Sequence, residues 1–362
     1  MKDRGPHPAL RTILNDTTEV SYSDLDYEIA GRESTTSDSL ARLLTIGCLS
    51  RLDPDRTSVD IWDPAAGIGY AGFLIADALQ SVGVQVKYRG QDINEQAVSA
   101  CQRRFAEVSD AKVNLGDTLA HDTFPDFEAD LVIVDAPFGL SWETSADAIE
   151  TRRESGAFHF GLPRVSDGTW LFISLALEKL RPAEQGGGRV AALVAPAALS
   201  SVDGAAIRER IVEAGLLESV TRLPAALAPN TQITLYLLTF TNRSPSSGRG
   251  KVAVADMQTQ YTTERRHRSM TPISFKELES GLRTGKPGKR NRVIDVQQLI
   301  RRSAELSRTT PEGLRFSWRI DTYNDTPIDD SLLKLRYSDL DPRVVVGVPA
   351  FEKTKVLVLV DN

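Results

Sequence analysis

Ser58-Val59-Asp60-Ile61-Trp62-Asp63-Pro64-Ala65-Ala66-Gly67-Ile68-Gly69-Tyr70-Ala71-Gly72 runs from a short apolar stretch, through two closely spaced glycines, into a helical pattern. Val59–Trp62 reads as a strand and Gly72–Val82 as a helix, so the glycines occupy a strand-to-helix turn. Gly67 and Gly69 tolerate positive φ and let backbone approach a ligand closely. Asp63, at the end of the strand, can accept a hydrogen bond from a ligand ammonium. A binding turn of this kind predicts an acid at the end of the next strand, placed to hold two ribose hydroxyls. Asp92, in Gly90-Gln91-Asp92-Ile93-Asn94, stands there, 29 positions after Asp63. A purely structural turn needs no such acid. A dinucleotide-binding turn is the competing use of the same geometry, since Gly67, Gly69 and Gly72 stand at its glycine spacing.

The pattern continues outward in strand–helix alternation. Thr36 or Ser37 can cap a helix to about Ser50, with Leu40, Leu43, Leu44 and Ile46 as its apolar positions. Val86–Gly90 is a strand, Glu95–Val108 a helix, Val113–Asn114 a short strand and Leu131–Val134 a buried one. Asp117, in Gly116-Asp117-Thr118-Leu119, follows the short strand and can take a ligand's adenine amine or cap a turn. Residues 139–168 lack periodicity and read as a long loop over an active site. Thr169–Leu180 and Ala205–Ala214 are helices; Arg189–Val194, Leu217–Leu223 and Ile233–Thr239 are strands. Repeated βα units with a glycine-rich first turn predict an α/β fold with a doubly wound, mostly parallel sheet. That sheet is expected to close near Asn242, ahead of the connector-like Arg243-Ser244-Pro245-Ser246-Ser247-Gly248-Arg249-Gly250. The expected divisions are an N-terminal segment over 1–33, irregular apart from a short helix near Asp24–Ala30, and the α/β domain over 34–242. A basic connector over 243–292 and a smaller α+β region over 293–362 follow.

Composition bounds the chemistry. The 362 residues are 41% apolar and 25% charged, the mix of a soluble globular protein. There is neither a span-length apolar run nor, in Met1-Lys2-Asp3-Arg4-Gly5-Pro6, a signal-peptide core, so no membrane association is expected. Two cysteines and four histidines offer no disulfide framework or metal site, so no metal is expected and a reducing cytoplasm fits. The net charge of −6 conceals 15 Lys/Arg against 6 Asp/Glu over residues 241–310. Such a segment suits nucleic-acid contact confined to part of the surface, or a solvated linker.

Asp135-Ala136-Pro137-Phe138 follows the apolar run Asp130-Leu131-Val132-Ile133-Val134, 72 positions after Asp63. The Asp135 carboxylate and the Ala136 carbonyl can accept the two hydrogens of a planar exocyclic amine, letting its nitrogen pyramidalise as a new bond forms. Pro137 stiffens the turn, and Phe138 offers a face on which an extruded base can stack. A plain loop cap with an ordinary hydrophobe is the alternative.

These segments resemble the N6-adenine DNA methyltransferases, and among them the modification subunit of type I restriction–modification systems. The resemblance covers roughly residues 30–242. Asp63–Gly69 with Gly72-Phe73-Leu74 is similar to the family's cofactor motif, with about two extra residues. Gly90–Asn94 matches its second-strand motif, and Asp135-Ala136-Pro137-Phe138-Gly139 its catalytic Asn/Asp-Pro-Pro-Phe-Gly. Phe160-Gly161-Leu162-Pro163, Asp167–Ile173, Gly187–Pro196 and Leu223-Pro224 with Thr231–Thr234 follow in the family's order. The chain departs in Ala136 for the first proline and in Ser34-Thr35-Thr36-Ser37 for the usual aromatic-Thr-Pro. No large helical region precedes the motifs, and no target-recognition domain is evident in 251–362.

The resemblance implies a class I, Rossmann-like methyltransferase fold and site-specific N6-methylation of adenine in double-stranded DNA, the base flipped out. S-adenosylmethionine is the implied cofactor, held by Thr35, Thr36, Asp63, Pro64, Ala65, Gly67, Gly69, Asp92, Ile93, Asp117, Thr118 and Asp135. Asp135, Ala136, Pro137 and Phe138 are the implied catalytic residues. A DNA-specificity subunit or other defence-system subunit, or the C-terminal region, would then read the DNA sequence. RNA and protein-glutamine amides present a similar planar amine and remain alternative substrates. An inactive cofactor-binding module of a DNA-binding complex is a third reading.

Overall fold

The computed structural model describes residues 5–15, 36–201, 203–228, 231–243, 251–264, 267–288 and 290–295. A short helix, α1 (Leu10–Asn15), buries Leu10, Ile13 and Leu14. In α2 (Asp38–Leu49), Ser37 is the N-cap and accepts from the Leu40 amide. All eleven residues from Ser39 to Leu49 of α2 are buried, so this helix is packed on every side.

The alternation then runs β1 (Ser58–Asp63), α3 (Tyr70–Gln80), β2 (Gln85–Asp92), α4 (Glu95–Arg104), β3 (Asp110–Leu115) and β4 (Leu131–Val134). After α5 (Ala146–Glu154) and α6 (Thr169–Glu178) come β5 (Arg189–Val194), α7 (Pro196–Ser200), α8 (Ala205–Glu213), β6 (Leu217–Ala225) and β7 (Thr234–Thr241). The last elements are β8 (Lys251–Asp256), β9 (Thr262–Glu264), β10 (His267–Ser269), α9 (Pro272–Thr284) and β11 (Asn291–Asp295). Local chemistry fixes the helix ends. Asn94 caps α4 by accepting from the Gln96 and Ala97 amides, while α9 starts at Thr271-Pro272 and stops at Gly285, which has φ 60°.

Nine strands form one sheet in the order β11-β8-β6-β7-β5-β4-β1-β2-β3. The pairs among β1 to β5 are parallel, and β7 runs antiparallel between β5 and β6. This is the expected doubly wound, mostly parallel sheet. Every residue of β4 and β5 is buried, as central parallel strands require. The chain leaves β1 toward β2 and β3, then returns to β4 on the other side of β1. The order therefore reverses between β1 and β4, and the crevice at their carboxyl ends is the default ligand position in such a sheet.

Three expectations need correction. The sheet does not close at Asn242: β8 pairs in parallel with β6, and β11 pairs antiparallel with β8. The stretch read as a connector therefore contains core structure. Phe275, Leu278 and Leu282 of α9 are buried, the Met270 amide donates to Ser39 Oγ, and Arg51 Nε donates to the Leu282 carbonyl. Part of its basic excess is spent internally, on Arg283–Glu279 and Arg290–Glu277 pairs. Second, residues 139–168 contain a 3-10 turn (Glu143–Ser145) and α5, which buries only Ile149 and so shows no apolar periodicity. Third, the N-terminal segment contributes α1 to the core; the helix expected near Asp24–Ala30 lies outside the described residues. Among the described residues no helix is long and apolar enough to cross a membrane.

Candidate active site

The reversal of strand order brings Asp63, at the end of β1, and Asp135, just after β4, to one edge of the sheet. Asp92 ends the neighbouring β2. The connecting loop depends on its glycines. Gly67 and Gly69 have φ of 53° and 76°, in the left-handed region. A Cβ on Gly69 would lie 2.4 Å from Cys101 Sγ, whereas one on Gly67 would meet nothing within 4 Å. Gly69 is thus packed against α4, and Gly67 borders open space. The Gly67 amide donates to Asp92 Oδ2 at 2.8 Å and the Asn94 amide to Asp92 Oδ1 at 2.9 Å. Thr118 Oγ1 donates to the Pro64 carbonyl at 2.7 Å, and Ala65 follows in the half-buried part of the same loop.

Burial perturbs two of these acids, Asp63 and Asp135. Asp63 is buried, and burial pushes its carboxyl up to about 7. The Tyr88 hydroxyl, donated to Asp63 Oδ2 at 3.1 Å, and the Ala65 amide oppose that rise, while the charges of Asp135 and Asp92 add to it. Burial also raises the Asp135 carboxyl, against a hydrogen bond from Thr36 Oγ1 to Oδ2 at 2.5 Å. Among the described residues no ion pair reaches Asp63, Asp92 or Asp135. Acids grouped in a crevice without a counter-cation favour a cationic ligand.

The remaining site residues divide by position. Ala136 is buried, Pro137 exposed, and Phe138 half-buried against the core. Ile93 is 72% exposed just past β2, unusual for an isoleucine and suited to covering a flat ring. Asp117 is already engaged: Oδ1 accepts from the Leu119 and Ala120 amides, and Oδ2 from Ser145 Oγ at 2.5 Å. Its turn-capping role is therefore what the structure displays. Thr35 lies outside the described residues. Among the described residues no group of three or more His, Cys, Asp or Glu could hold a metal ion.

Sequence reasoning missed Tyr88, Ser145 and Arg152. The fully buried Tyr88 ring occupies room left by Gly72 and Gly90, where an added Cβ would come within 2.6 Å and 2.9 Å of it. An aromatic residue two positions before a strand glycine was the available signal. Arg152 donates from Nη1 to the carbonyls of Thr118 (2.7 Å) and Leu119 (2.6 Å), tying α5 to the loop after β3. Nothing in the spacing announced that tie.

A family model described as N-6 DNA Methylase matches residues 36–290. Among solved structures, the chain is similar to the type I restriction-modification system methyltransferase subunit from Streptococcus thermophilus. The TM-score is 0.66 at 19% identity, over 76% of this chain and 58% of that one. It is also similar to a Listeria monocytogenes protein assigned as a class I S-adenosylmethionine-dependent methyltransferase (TM-score 0.55, 18% identity, 76% of this chain and 75% of that one). The modification subunit assigned to a type I restriction enzyme from Vibrio vulnificus YJ016 aligns with TM-score 0.58 and 18% identity, over 72% and 57% of the two chains. At these identities the likeness shows the fold. The chain spans 58% of the length of the Streptococcus thermophilus subunit. A comparison with curated proteins finds no match.

Proposed function

The chain belongs to the N-6 DNA Methylase family, and on that premise we propose that it transfers a methyl group from S-adenosylmethionine to N6 of adenine in DNA. One observation carries the proposal: Asp135-Ala136-Pro137-Phe138 follows β4 directly across the strand-order reversal from the glycine loop after β1. A methyl donor and an acceptor amine need those two positions side by side.

The residues fit the donor. Asp63, Asp92 and Asp135 are acids without a paired cation, Gly67 leaves open space beside the loop, and Ile93 is exposed at the end of β2. Asp63 faces the cationic end, Asp92 holds ribose hydroxyls with the lone pairs its two amides leave, and Ile93 covers the adenine ring. Pro64, Ala65 and Thr118 hold the loop in shape around it. Bound there, S-adenosylmethionine supplies a methyl group on a sulfonium sulfur, already a good leaving group. Asp135 and the Ala136 carbonyl accept hydrogen bonds from the target amine and direct its lone pair toward the methyl carbon. As the N–C bond forms, the C–S bonding pair stays with sulfur, and the proton the nitrogen loses passes to Asp135 or to water. Pro137 restricts the turn, and the outer part of Phe138 borders the flipped base.

The reaction belongs to a cytoplasmic restriction–modification or related defence system, with DNA sequence read by a specificity subunit or by the C-terminal region over 293–362. The subunits from Streptococcus thermophilus and Vibrio vulnificus support that setting by their own assignment. The test offers labelled S-adenosylmethionine with unmethylated DNA, RNA or a glutamine-containing protein, with the products resolved by mass spectrometry. N6-methyladenine in DNA is the expected product. Label in RNA or in a glutamine amide, with none in DNA, assigns the site to those substrates instead.

A further inference from the structure

Thr36 and Asp135 are 99 residues apart in sequence and share a hydrogen bond of 2.5 Å, Thr36 Oγ1 to Asp135 Oδ2. Each partner flanks a buried element. Asp135 leaves the wholly buried β4. Thr36 precedes Ser37, the N-cap of α2, and the Ala41 amide donates to the Ser37 carbonyl at 2.9 Å. The first turn of α2 is braced in turn, because Asp38 accepts from Arg42 Nε at 2.6 Å and from the Tyr70 hydroxyl at 2.7 Å. The contact thus joins the residue ahead of the α2 cap to the residue that follows β4.

We infer that Thr36 is a positioning residue for the Asp135 carboxylate: its hydroxyl fixes Oδ2 and leaves Oδ1 to accept the target amine. The inference rests on the proposed adenine methylation and assigns Thr36 to the acceptor side of the site instead of the methionine pocket. Its chemistry follows from which residue stands at 135. An amide oxygen there would accept from an amine at any pH, but a carboxyl group accepts through both oxygens only when ionised. The surroundings of Asp135 work against ionisation. Burial raises its proton affinity, and the titratable group interacting with it from β1 is another acid, Asp63, not a cation. On α2, Asp38 and Arg42 pair with each other. Among the described residues no cation pairs with Asp135, and the Thr36 hydroxyl is the group that favours its charged form.

The experiment compares wild type with Thr36→Ala, Thr36→Val and Thr36→Ser. It follows the pH dependence of kcat for N6-methyladenine formation, the KM for S-adenosylmethionine, and the titration of the Asp135 carboxyl by 13C NMR, assigned with Asp135→Asn. In Thr36→Ala and Thr36→Val the acidic limb of kcat and the Asp135 titration should both move to higher pH, by about one unit, the scale of one hydrogen bond to a charged group. KM should stay within about threefold, and Thr36→Ser should restore both curves. A residue serving only the fold or the methionine pocket would change KM or yield and leave the curves in place; that result overturns the inference. If wild type forms no N6-methyladenine, the reaction itself is wrong. An unmoved Asp135 titration overturns the role of Thr36 whatever the reaction.

Discussion

The Tyr88 hydroxyl donates to Asp63 Oδ2 over 3.1 Å, joining β2 to the end of β1 beneath the glycine loop. This neutral donor is the partner of a buried carboxyl whose proton affinity is lifted from the ordinary 3.8 to about 7. Between those two values the native protein holds a proton that the unfolded chain has released. The Asp63 contribution to stability therefore falls as pH rises from about 4 to about 7. A cationic ligand acts in the opposite sense, because it favours the ionised carboxylate. Binding of S-adenosylmethionine near pH 6 should release a proton, and affinity should increase as pH rises toward 7. Calorimetry in buffers of different ionisation enthalpy measures the release, which Asp63→Asn should abolish. Tyr88→Phe keeps the ring but removes the donor, and should weaken binding at pH 7 about tenfold.

The two loop glycines should fail in different ways. Gly69→Ala combines left-handed backbone with a Cβ 2.4 Å from Cys101 Sγ, so the main effect is on the fold. A cost of roughly 2–3 kcal/mol is expected, seen as a Tm lower by roughly 5–10 °C. Gly67→Ala carries only the left-handed penalty of about 1 kcal/mol, since its Cβ meets nothing within 4 Å. It should melt near wild type yet bind S-adenosylmethionine at least about tenfold more weakly, because the added methyl enters the space given to the ligand. Paired thermal melts and binding isotherms check both variants; equal losses in both would contradict the assignment of Gly67 to the ligand side.

Much of this arrangement was legible before the structure. The glycine loop, Asp92 and the turn after β4 are written as apolar runs that end in glycines and acids, and parallel strands bring such ends to one edge. The parts that were not legible have separate physical reasons. Helix α5 buries one side chain, Ile149, so it has no apolar stripe to read. Strand β8 alternates Val252 and Val254 with alanines, directly after a Ser/Gly/Pro run that reads as a boundary. The bonds of Tyr88 to Asp63 and of Ser145 to Asp117 join residues 25 and 28 positions apart through tertiary packing, which local sequence does not encode.

Arg152 offers a test of how the 139–168 segment is held. Its guanidinium bonds the Thr118 and Leu119 carbonyls and lies 5.3 Å from the centre of the Phe158 ring. Arg152→Ala should free two carbonyls and a cation–π contact together, loosening this segment while the sheet persists. Limited proteolysis should cut within residues 139–168 about tenfold faster, with Tm falling by only a few degrees. Unchanged cleavage would mean that Trp142, whose indole donates to the Arg164 carbonyl at 2.9 Å, suffices to hold the segment.

The most direct test of the central claim is single-turnover methyl transfer from S-adenosylmethionine to adenine in unmethylated DNA, with wild type and Asp135→Ala compared after both are shown to bind the methyl donor. The proposed role predicts N6-methyladenine from wild type and a rate roughly 10²- to 10³-fold lower in the variant at saturating donor. An Asp135→Ala rate within tenfold of wild type, or no N6-methyladenine from a wild type that binds donor and DNA, would contradict it.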